Sequence, residues 1–361
     1  MSGIYVYAIV PAATPGAFDV AGLWPADPKV GTIRGERLAA VVGAAPPLDF
    51  HDLPREDAVR YLLAHQRVAE AVMRGAPTLP VKFGTILPDE TAVVRLLMRG
   101  EAVLAPRLAE LAEHVQTELI VSWNLEEVLH DVAAEDSVSR LKTEVAARPA
   151  DATNEARIAL GKLVKESIDR RREAYRSRIM AALAPIAADM VENALMDDRM
   201  VANVALLLPV RASDAFARRL AELDEEFNGR LNFRSVGPLP PSSFATVEVT
   251  LQSFEVVDQA RRALRLGASA KLMDIKTAYH RLIRLSHPDV APATPANQGQ
   301  AAELTDAYKT LMSYAEAQPV AGSEGACADG GYRFDRGAVE GAIMVAVRRQ
   351  ELPAARPEGQ P

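Results

Sequence analysis

Apolar positions follow two different periods in the first third of the chain. Residues 4–10 form an aromatic and aliphatic run that stops at Pro11, which predicts a buried strand. Between residues 55 and 74 the apolar side chains recur every three or four positions, which predicts an amphipathic helix. Residues 79–86 and 118–123 are strand-like again. This mixture, without a regular strand–helix–strand repeat, predicts an α+β domain.

The next segment, residues 124–198, has helical periodicity almost throughout. Three consecutive arginines, 170–172, are predicted to lie on a solvated helix face. A helix predicted over residues 213–227 separates strand-like runs at residues 200–210, 231–236 and 244–251. The order strand, helices, strand, helix, strand, strand predicts an α+β sandwich of ferredoxin-like type.

The C-terminal third contains a helical block, a linker and one further strand. The helical block runs over residues 254–314, residues 318–335 are rich in Gly, Ala and Ser, and residues 338–347 are predicted to form a lone strand. A lone strand must pair, so we expect it to return to an earlier sheet. The sequence therefore predicts two α+β domains, the second ferredoxin-like, plus a small helical bundle and a tail. The predicted limits are 1–123, 124–252, 253–317 and 318–361.

Composition and charge narrow the classes of function. The 361 residues include 41 Lys and Arg against 48 Asp and Glu, for a formal net charge of −7. This acidity argues against a nucleic-acid binder, because such proteins use clustered Lys and Arg to displace counterions. No stretch approaches the ~20 apolar residues that cross a bilayer, and the N-terminus lacks the basic start of a signal peptide. With Cys327 as the single cysteine, no internal disulfide can form, and we expect a cytoplasmic protein without membrane or nucleic-acid partners.

Motifs that carry enzyme chemistry are absent from the sequence. It contains no GxGxxG or GxxxxGK[ST] phosphate loop, no GxSxG elbow, and no HExxH or CxxC pair. The six histidines are scattered, and none has a partner at the spacing of metal ligands. The sequence therefore predicts a protein that is not an enzyme and that has neither a cofactor nor a metal site.

Three segments, in order along residues 1–251, carry a resemblance to a known family. They are residues 4–10 (IYVYAIV), residues 79–87 (LPVKFGTIL) and residues 237–244 (GPLPPSSF). Together they resemble the gas vesicle protein GvpL/GvpF family, whose members have a YxYAI-like first strand, an LPxxFGT segment and a proline-rich segment before the last strand. This chain has Leu239 and Ser242 where that proline-rich segment has aromatic residues.

The resemblance implies an accessory protein of gas vesicle formation, a minor component of the vesicle that binds the hydrophobic shell protein GvpA. Other gas vesicle accessory proteins are implied as further partners, and the gas vesicle and cytoplasm as its location. A subunit of a water-excluding wall aggregates unless its apolar surface is covered, so such an adaptor has a physical purpose. The candidate shell-contacting residues lie in the rigid Gly and Pro segments, and they are Phe83, Gly84, Pro240, Pro241 and Phe244.

A second resemblance lies in the helical block. Residues 278–289 (AYHRLIRLSHPD) look like helix II and the HPD loop of a J-domain, and Ile275-Lys276 fits the usual I-K-x-A-Y pattern. Residues 263–267 (ALRLG) are similar to the end of helix I, and residues 302–311 (AELTDAYKTL) are similar to helix III. The J-domain-like bundle therefore covers residues 254–315.

The J-domain resemblance implies a chaperone contact. In J-domains the HPD tripeptide and the basic face of helix II engage a DnaK-type chaperone and stimulate its ATPase. By position this points to His287, Pro288 and Asp289, helped by Lys276, Arg281 and Arg284. Residues 271–284 carry four basic residues and one acidic residue, and such a patch steers an acidic partner.

Two hypotheses of function follow from these resemblances. The leading one is a non-enzymatic gas vesicle assembly factor, whose body prevents GvpA from aggregating and whose J-like bundle recruits a DnaK-type chaperone. The alternative is a general J-protein co-chaperone whose body binds unrelated clients. Loss of buoyant vesicles with normal heat tolerance after deletion favours the first, and the reverse favours the second.

Overall fold

The computed structural model describes residues 3–45, 50, 53–147, 154–285, 295–317 and 331–350. The chain divides into two compact units, each made of two stretches of sequence. Unit 1 comprises Met1–Glu110 with Thr246–Arg348, and unit 2 comprises Leu111–Ala245 with Arg349–Pro361. Helices and strands are mixed in both units, which confirms the predicted α+β class.

Unit 1 begins with a six-stranded sheet built around the first predicted strand. The strands are β1 (Ile4–Pro11), β2 (Ala17–Phe18), β3 (Val30–Arg34), β4 (Leu38–Ala44), β5 (Leu79–Pro80) and β6 (Ile86–Leu87). Their order is β2-β3-β4-β1-β5, with β6 also paired to β1, and every pairing is antiparallel. Six consecutive residues of β1 are buried, and because neighbouring side chains point to opposite faces, both faces of the sheet are covered here.

Two helices follow in the N-terminal part of unit 1, α1 (Arg55–Met73) and α2 (Glu90–Leu111). The buried residues of α1 recur every three or four positions, as the sequence predicts, and several join the core formed by β1 and β4. The buried residues of α1 are Tyr61, Ala64, His65, Val68, Ala69 and Val72.

Unit 2 is a four-stranded antiparallel sheet with helices. Its strands are β7 (His114–Trp123), β8 (Asp189–Glu192), β9 (Met200–Pro209) and β10 (Leu231–Leu239), and its helices are α3 (Leu125–Ala133), α4 (Asp136–Ala146), α5 (Asn154–Leu183) and α6 (Ser213–Glu226). The strand order β10-β7-β9-β8 places the first strand beside the last and the third, which is the ferredoxin-like arrangement. This part of the predicted fold is confirmed.

One strand of unit 2 is missed by the hydrophobic pattern. Helical periodicity predicts helices throughout residues 124–198, but α5 ends at Leu183 and β8 occupies Asp189–Glu192. Only Val191 of β8 is fully buried. A four-residue edge strand with one buried side chain has no alternation long enough to read from the sequence.

The helical block predicted at 254–314 is a three-helix bundle in unit 1. Its helices are α7 (Phe254–Ala263), α8 (Leu272–Leu285) and α9 (Pro295–Ala317), with α9 packed against both others. Ile275 and Leu311 are fully buried in its core, where Phe334 and Val339 from the returning chain join them. The returning chain contains β13 (Tyr332–Arg333), which pairs with β12 (Ser269–Ala270), and the short helix α10 (Arg336–Glu340).

The strand predicted at residues 338–347 begins only at Ile343, because α10 occupies Arg336–Glu340, and it finds its partner within unit 1. β14 (Ile343–Arg348) pairs antiparallel along its whole length with β11 (Thr246–Leu251). β11 in turn extends from the N-terminal sheet, because Val81 and Val247 form a parallel bridge and the Lys82 amide donates to the Val247 carbonyl at 2.9 Å. The expected return to an earlier strand is therefore confirmed.

The same pairing corrects the predicted position of β11. Its sequence predicts the last strand of the ferredoxin-like sheet, but β11 pairs with β14 and Val81 in unit 1 instead. The four strands of unit 2 already complete that sheet. Alternation of apolar residues shows that a strand has a buried face, but it does not identify the neighbouring strand.

Two structural findings bear on membranes and metals. Among the helices that the structure describes, none combines the length and the apolar character needed to span a membrane. The described residues also contain no group of three or more His, Cys, Asp or Glu side chains placed to hold a metal ion.

Candidate functional site

The basic residues predicted for chaperone binding lie on helix α8. This helix buries Ile275, Ala278 and Leu282 in the bundle, a spacing of three and four residues that leaves the opposite face outside. Arg281 and Arg284 are exposed on α8, while Lys276 is half-buried. The bundle therefore exposes two of the three basic side chains to solvent.

The packing of α8 against α9 fixes this basic helix. The rings of Tyr279 and Tyr308 stack with centroids 4.4 Å apart and an angle of 18° between their planes. At the start of α8, the Asp274 carboxylate accepts a hydrogen bond from the Lys271 amide at 2.9 Å. Within the described part of the chain, no carboxylate forms an ion pair with Lys276, Arg281 or Arg284.

The tripeptide that the J-domain resemblance singles out, His287, Pro288 and Asp289, lies outside the described residues. Helix α8 precedes it and helix α9 follows it in sequence. The role of these three residues stays a prediction.

The LPVKFGT segment of unit 1 rests on a group of aromatic rings. The Phe83 ring is half-buried and meets Phe50 edge-on at 5.0 Å and His65 at 5.9 Å between centroids. The Gly84 amide donates to the Tyr5 hydroxyl at 3.0 Å, and that hydroxyl lies 2.9 Å from His65 Nδ1. Gly84 has φ +85°, a conformation that favours glycine because it has no Cβ. Phe83 and Gly84 are therefore held by β1 and α1.

Burial shifts the titration of the polar groups in this aromatic layer. Burial lowers the pKa of His65 to about 4, because the charged imidazolium loses its hydration. Burial also raises the pKa of Tyr7 to about 12 and raises the pKa of Tyr5 further. His65 and both tyrosines are consequently neutral at pH 7, and the layer carries no charge.

The second half of the proline-rich segment, the turn at residues 240–244 of unit 2, is buried except for Ser242. Pro240 and Pro241 are buried, and Phe244 has no solvent-exposed surface. The Phe244 amide donates to the Pro241 carbonyl at 3.0 Å, which closes the turn. The predicted shell-contacting residues thus separate into two half-buried ones, Phe83 and Gly84 of unit 1, and three buried ones of unit 2. Their contribution to partner binding stays a prediction.

A buried polar network supports this turn, and no motif in the sequence signals it. Gln116, only 2% exposed, accepts a hydrogen bond from the Ser243 amide at 2.8 Å and donates to the Ser243 hydroxyl at 3.1 Å. Gln116 also donates to Glu118, whose second carboxylate oxygen accepts from Asn193 at 3.3 Å. Burial raises the pKa of Glu118, and the two hydrogen bonds oppose part of that rise.

The solvated face predicted for arginines 170–172 is right for Arg170, which is exposed, but wrong for Arg171 and Arg172, which are half-buried. Arg171 pairs with Asp131 at 3.2 Å and with Glu135 at 3.1 Å, and the Arg172 guanidinium lies 5.4 Å from the centre of the Trp123 ring. These partners come from distant parts of the sequence. An adjoining cleft of about 480 Å³ is lined by Trp123, His130, Asp131, Arg171, Tyr175 and Arg230, among others.

Comparison with known proteins agrees with both resemblances. The sequence model of the family described as "Gas vesicle synthesis protein GvpL/GvpF" matches residues 3–246, and that of the DnaJ domain matches residues 262–318. A gas vesicle protein F from Streptomyces sp. is 31% identical over 241 residues, which cover 66% of this chain and 98% of that protein. A gas vesicle protein F from Nostoc sp. is 27% identical over 192 residues, 52% of this chain and 78% of that protein.

Two crystal structures share the fold of the matched part. The gas vesicle protein GvpF from Anabaena sp. superposes with a TM-score of 0.58 at 23% identity, covering 67% of this chain and 97% of that one. GvpF from Microcystis aeruginosa gives a TM-score of 0.52 at 24% identity, with 66% and 97% covered. At these identities the similarity is evidence of fold alone.

Proposed function

The chain belongs to the GvpL/GvpF family of gas vesicle synthesis proteins, and from this premise we propose that it is a gas vesicle assembly factor. It is a gas vesicle accessory protein that also carries a DnaJ domain. In the proposed function its body binds the shell protein GvpA and keeps it from aggregating, and its J bundle recruits a DnaK-type chaperone. The protein acts in the cytoplasm and at the growing vesicle.

The observation that carries this proposal is that the LPVKFGT segment and the J bundle lie in the same unit, unit 1. Val81 of the LPVKFGT segment forms a bridge with Val247 of β11. β11 also pairs with β14, which follows the bundle in sequence. The bundle is therefore connected at both of its ends to a strand pair that extends from the N-terminal sheet. A shell subunit bound at that sheet would stay at a fixed distance from a chaperone bound at α8.

The chaperone step has a direct test in the ATPase rate of a DnaK-type chaperone. We expect the full chain to raise this rate several-fold and the His287→Gln variant to leave it near its basal value. His280→Gln, which changes an exposed histidine of α8, is the matched control and should behave like the unchanged chain. Equal stimulation by the chain and by His287→Gln would rule out recruitment through this tripeptide.

The shell step is tested by light scattering of purified GvpA. We expect the full chain to suppress GvpA aggregation and Phe83→Ala to suppress it less, because Phe83 is the half-buried aromatic residue of the motif segment. Met98→Ala removes an apolar side chain that is 69% exposed in the same unit, and it should act like the unchanged chain. Aggregation unaffected by the full chain would overturn GvpA binding, whatever the ATPase result.

A general J-protein with unrelated clients is the competing function, and the DnaJ match favours it as much as it favours the first. Deleting the gene distinguishes the two. Loss of buoyant vesicles with normal heat tolerance supports the assembly factor, whereas reduced heat tolerance with normal vesicles supports the general co-chaperone.

A further inference from the structure

The outer edge of β8 is the exposed end of the ferredoxin-like sheet in unit 2. β8 pairs with β9 on one side, and no other strand of the described residues pairs with its outer side. An edge strand with unpaired amide and carbonyl groups attracts strands from other molecules, and proteins usually block such edges. The groups that block this edge are therefore informative.

Both backbone groups of Met190, in the middle of β8, are occupied by side chains. Its amide donates to Asp189 Oδ1 at 2.8 Å, and its carbonyl accepts from Arg349 Nη2 at 2.9 Å. The same Arg349 nitrogen lies 2.8 Å from Asp189 Oδ1. One ion pair thus takes up the donor and the acceptor that an incoming strand needs at this position.

The next residue extends this contact towards the proline-rich turn. The Gln350 amide donates to the Ser243 carbonyl at 2.9 Å, and its side chain donates to Asn193 Oδ1 at 3.2 Å. Ser243 and Asn193 are themselves held by the buried network of Gln116 and Glu118. Arg349 and Gln350, which belong to unit 2, are therefore seated on a fixed surface.

Arg349 and Gln350 lie in the part of the chain that the family match does not cover. The GvpL/GvpF match ends at residue 246, and the Streptomyces relative is covered over 98% of its own length by 66% of this chain. The last third of the chain, which supplies Arg349 and Gln350, has no counterpart in that relative. The blocked edge is a feature that accompanies the C-terminal extension.

We propose that Arg349 and Gln350 form an intramolecular cap that closes the outer edge of β8 to strand addition. The occupant of this surface is the chain's own C-terminal segment, and the partner it excludes is the same edge of a second copy. The Arg349 and Asp189 side chains are 51% and 40% exposed, and ion pairs this exposed stabilise a fold only weakly. Loss of the cap should therefore leave unit 2 folded.

The test compares two exposed arginines of unit 2, each paired with an aspartate. Arg349→Glu places a carboxylate against Asp189. The control, Arg230→Glu, breaks the ion pair between Arg230 and Asp131, whose side chains are 60% and 42% exposed. Both residues of the control pair are distant in sequence from β8. The readouts are hydrogen–deuterium exchange of the peptide covering residues 186–196 and sedimentation velocity of the full chain at increasing concentration.

Arg349→Glu is expected to raise the exchange rate of that peptide several-fold and to self-associate more strongly than the unchanged chain. Arg230→Glu should change neither readout, and Arg349→Gln, which keeps a donor for the Met190 carbonyl, should fall between. Circular dichroism confirms folding in each variant. Unchanged exchange in Arg349→Glu would refute the cap, and faster exchange without added association would refute its role in excluding a second copy.

Discussion

The two motif segments of the GvpL/GvpF family rest on different interiors. In unit 1, Phe83 and Gly84 lie over aromatic rings, and a single chain of polar contacts joins Gly84, Tyr5 and His65. In unit 2, the turn around Phe244 is supported by the two hydrogen bonds between Gln116 and Ser243 and by complete burial of the Phe244 ring. The backbone of the LPVKFGT segment is held by packing of uncharged rings, whereas that of the proline-rich turn is held by a polar network. Different mutations and pH changes should therefore destabilise the two segments.

The largest expected difference between the two segments is the loss of unfolding free energy when the phenylalanine of each is truncated to alanine. Phe244→Ala should lower the free energy of unfolding by about 3–5 kcal/mol, because a fully buried ring leaves a cavity. Phe83→Ala should cost roughly half of that, since Phe83 is half-buried and solvent fills part of the space. Urea unfolding of the full chain measures both values. Equal losses would break the comparison between the two segments.

The next effect is the acid sensitivity of unit 1. The pKa of His65 is about 4 in the fold and about 6.5 in an unfolded chain, so between these values the unfolded chain binds the extra proton. The contribution of His65 to the free energy of unfolding is therefore fully present above about pH 6.5. As the pH drops from there towards 4, this contribution falls by ~1.4 kcal/mol per pH unit.

The measurement for His65 is the pH dependence of the unfolding free energy in the unchanged chain and in His65→Phe. The variant cannot take up the proton, so its curve should be flatter between pH 6.5 and 4. Parallel curves would show that His65 is not buried in its neutral form.

The contribution of Glu118 in unit 2 to stability should depend on pH with the opposite sign to that of His65. Its pKa is raised by burial, so the folded chain keeps the proton to a higher pH than the unfolded chain. The contribution of this group is present below its ordinary pKa and is lost as the pH rises through the folded value. Glu118→Gln should therefore gain stability relative to the unchanged chain as the pH rises above 4.5, the ordinary pKa of this group. A difference that stays constant with pH would contradict this sign.

The smallest expected effect is on stability when each of two glycines, Gly84 and Gly161, is replaced by alanine. Gly84→Ala should cost ~1–2 kcal/mol from backbone strain alone, because φ is +85° while the added Cβ meets Phe50 only at ordinary contact distance. Gly161→Ala on α5 should instead stabilise by ~0.5–1 kcal/mol, since nothing lies within 4 Å and alanine favours helix. Thermal unfolding of both variants checks the pair, and a shift of the same sign in both would disprove it.

The sequence predicts the elements with long periodic patterns and misses what depends on distant partners. β1, α1 and the long strands β7, β9 and β10 of the ferredoxin-like sheet follow from apolar runs and periodicity. β8 is too short to show a pattern, and the neighbour of β11 is not encoded in its own alternation. The basic residues of α8 are predictable because one helix carries them all, whereas the Gln116 network joins residues more than a hundred positions apart.

The pairing of β11 with β14 also dictates an order of events during synthesis. The ribosome releases residues 111–245 of unit 2 before it has made the end of unit 1, whose last strand is Ile343–Arg348. β11 is therefore synthesised about a hundred residues before its partner, and it waits with one edge unpaired while the bundle is translated. Domains translated first usually fold first, but here the unit that starts the chain is completed only after residues 111–245 of the other unit have been made.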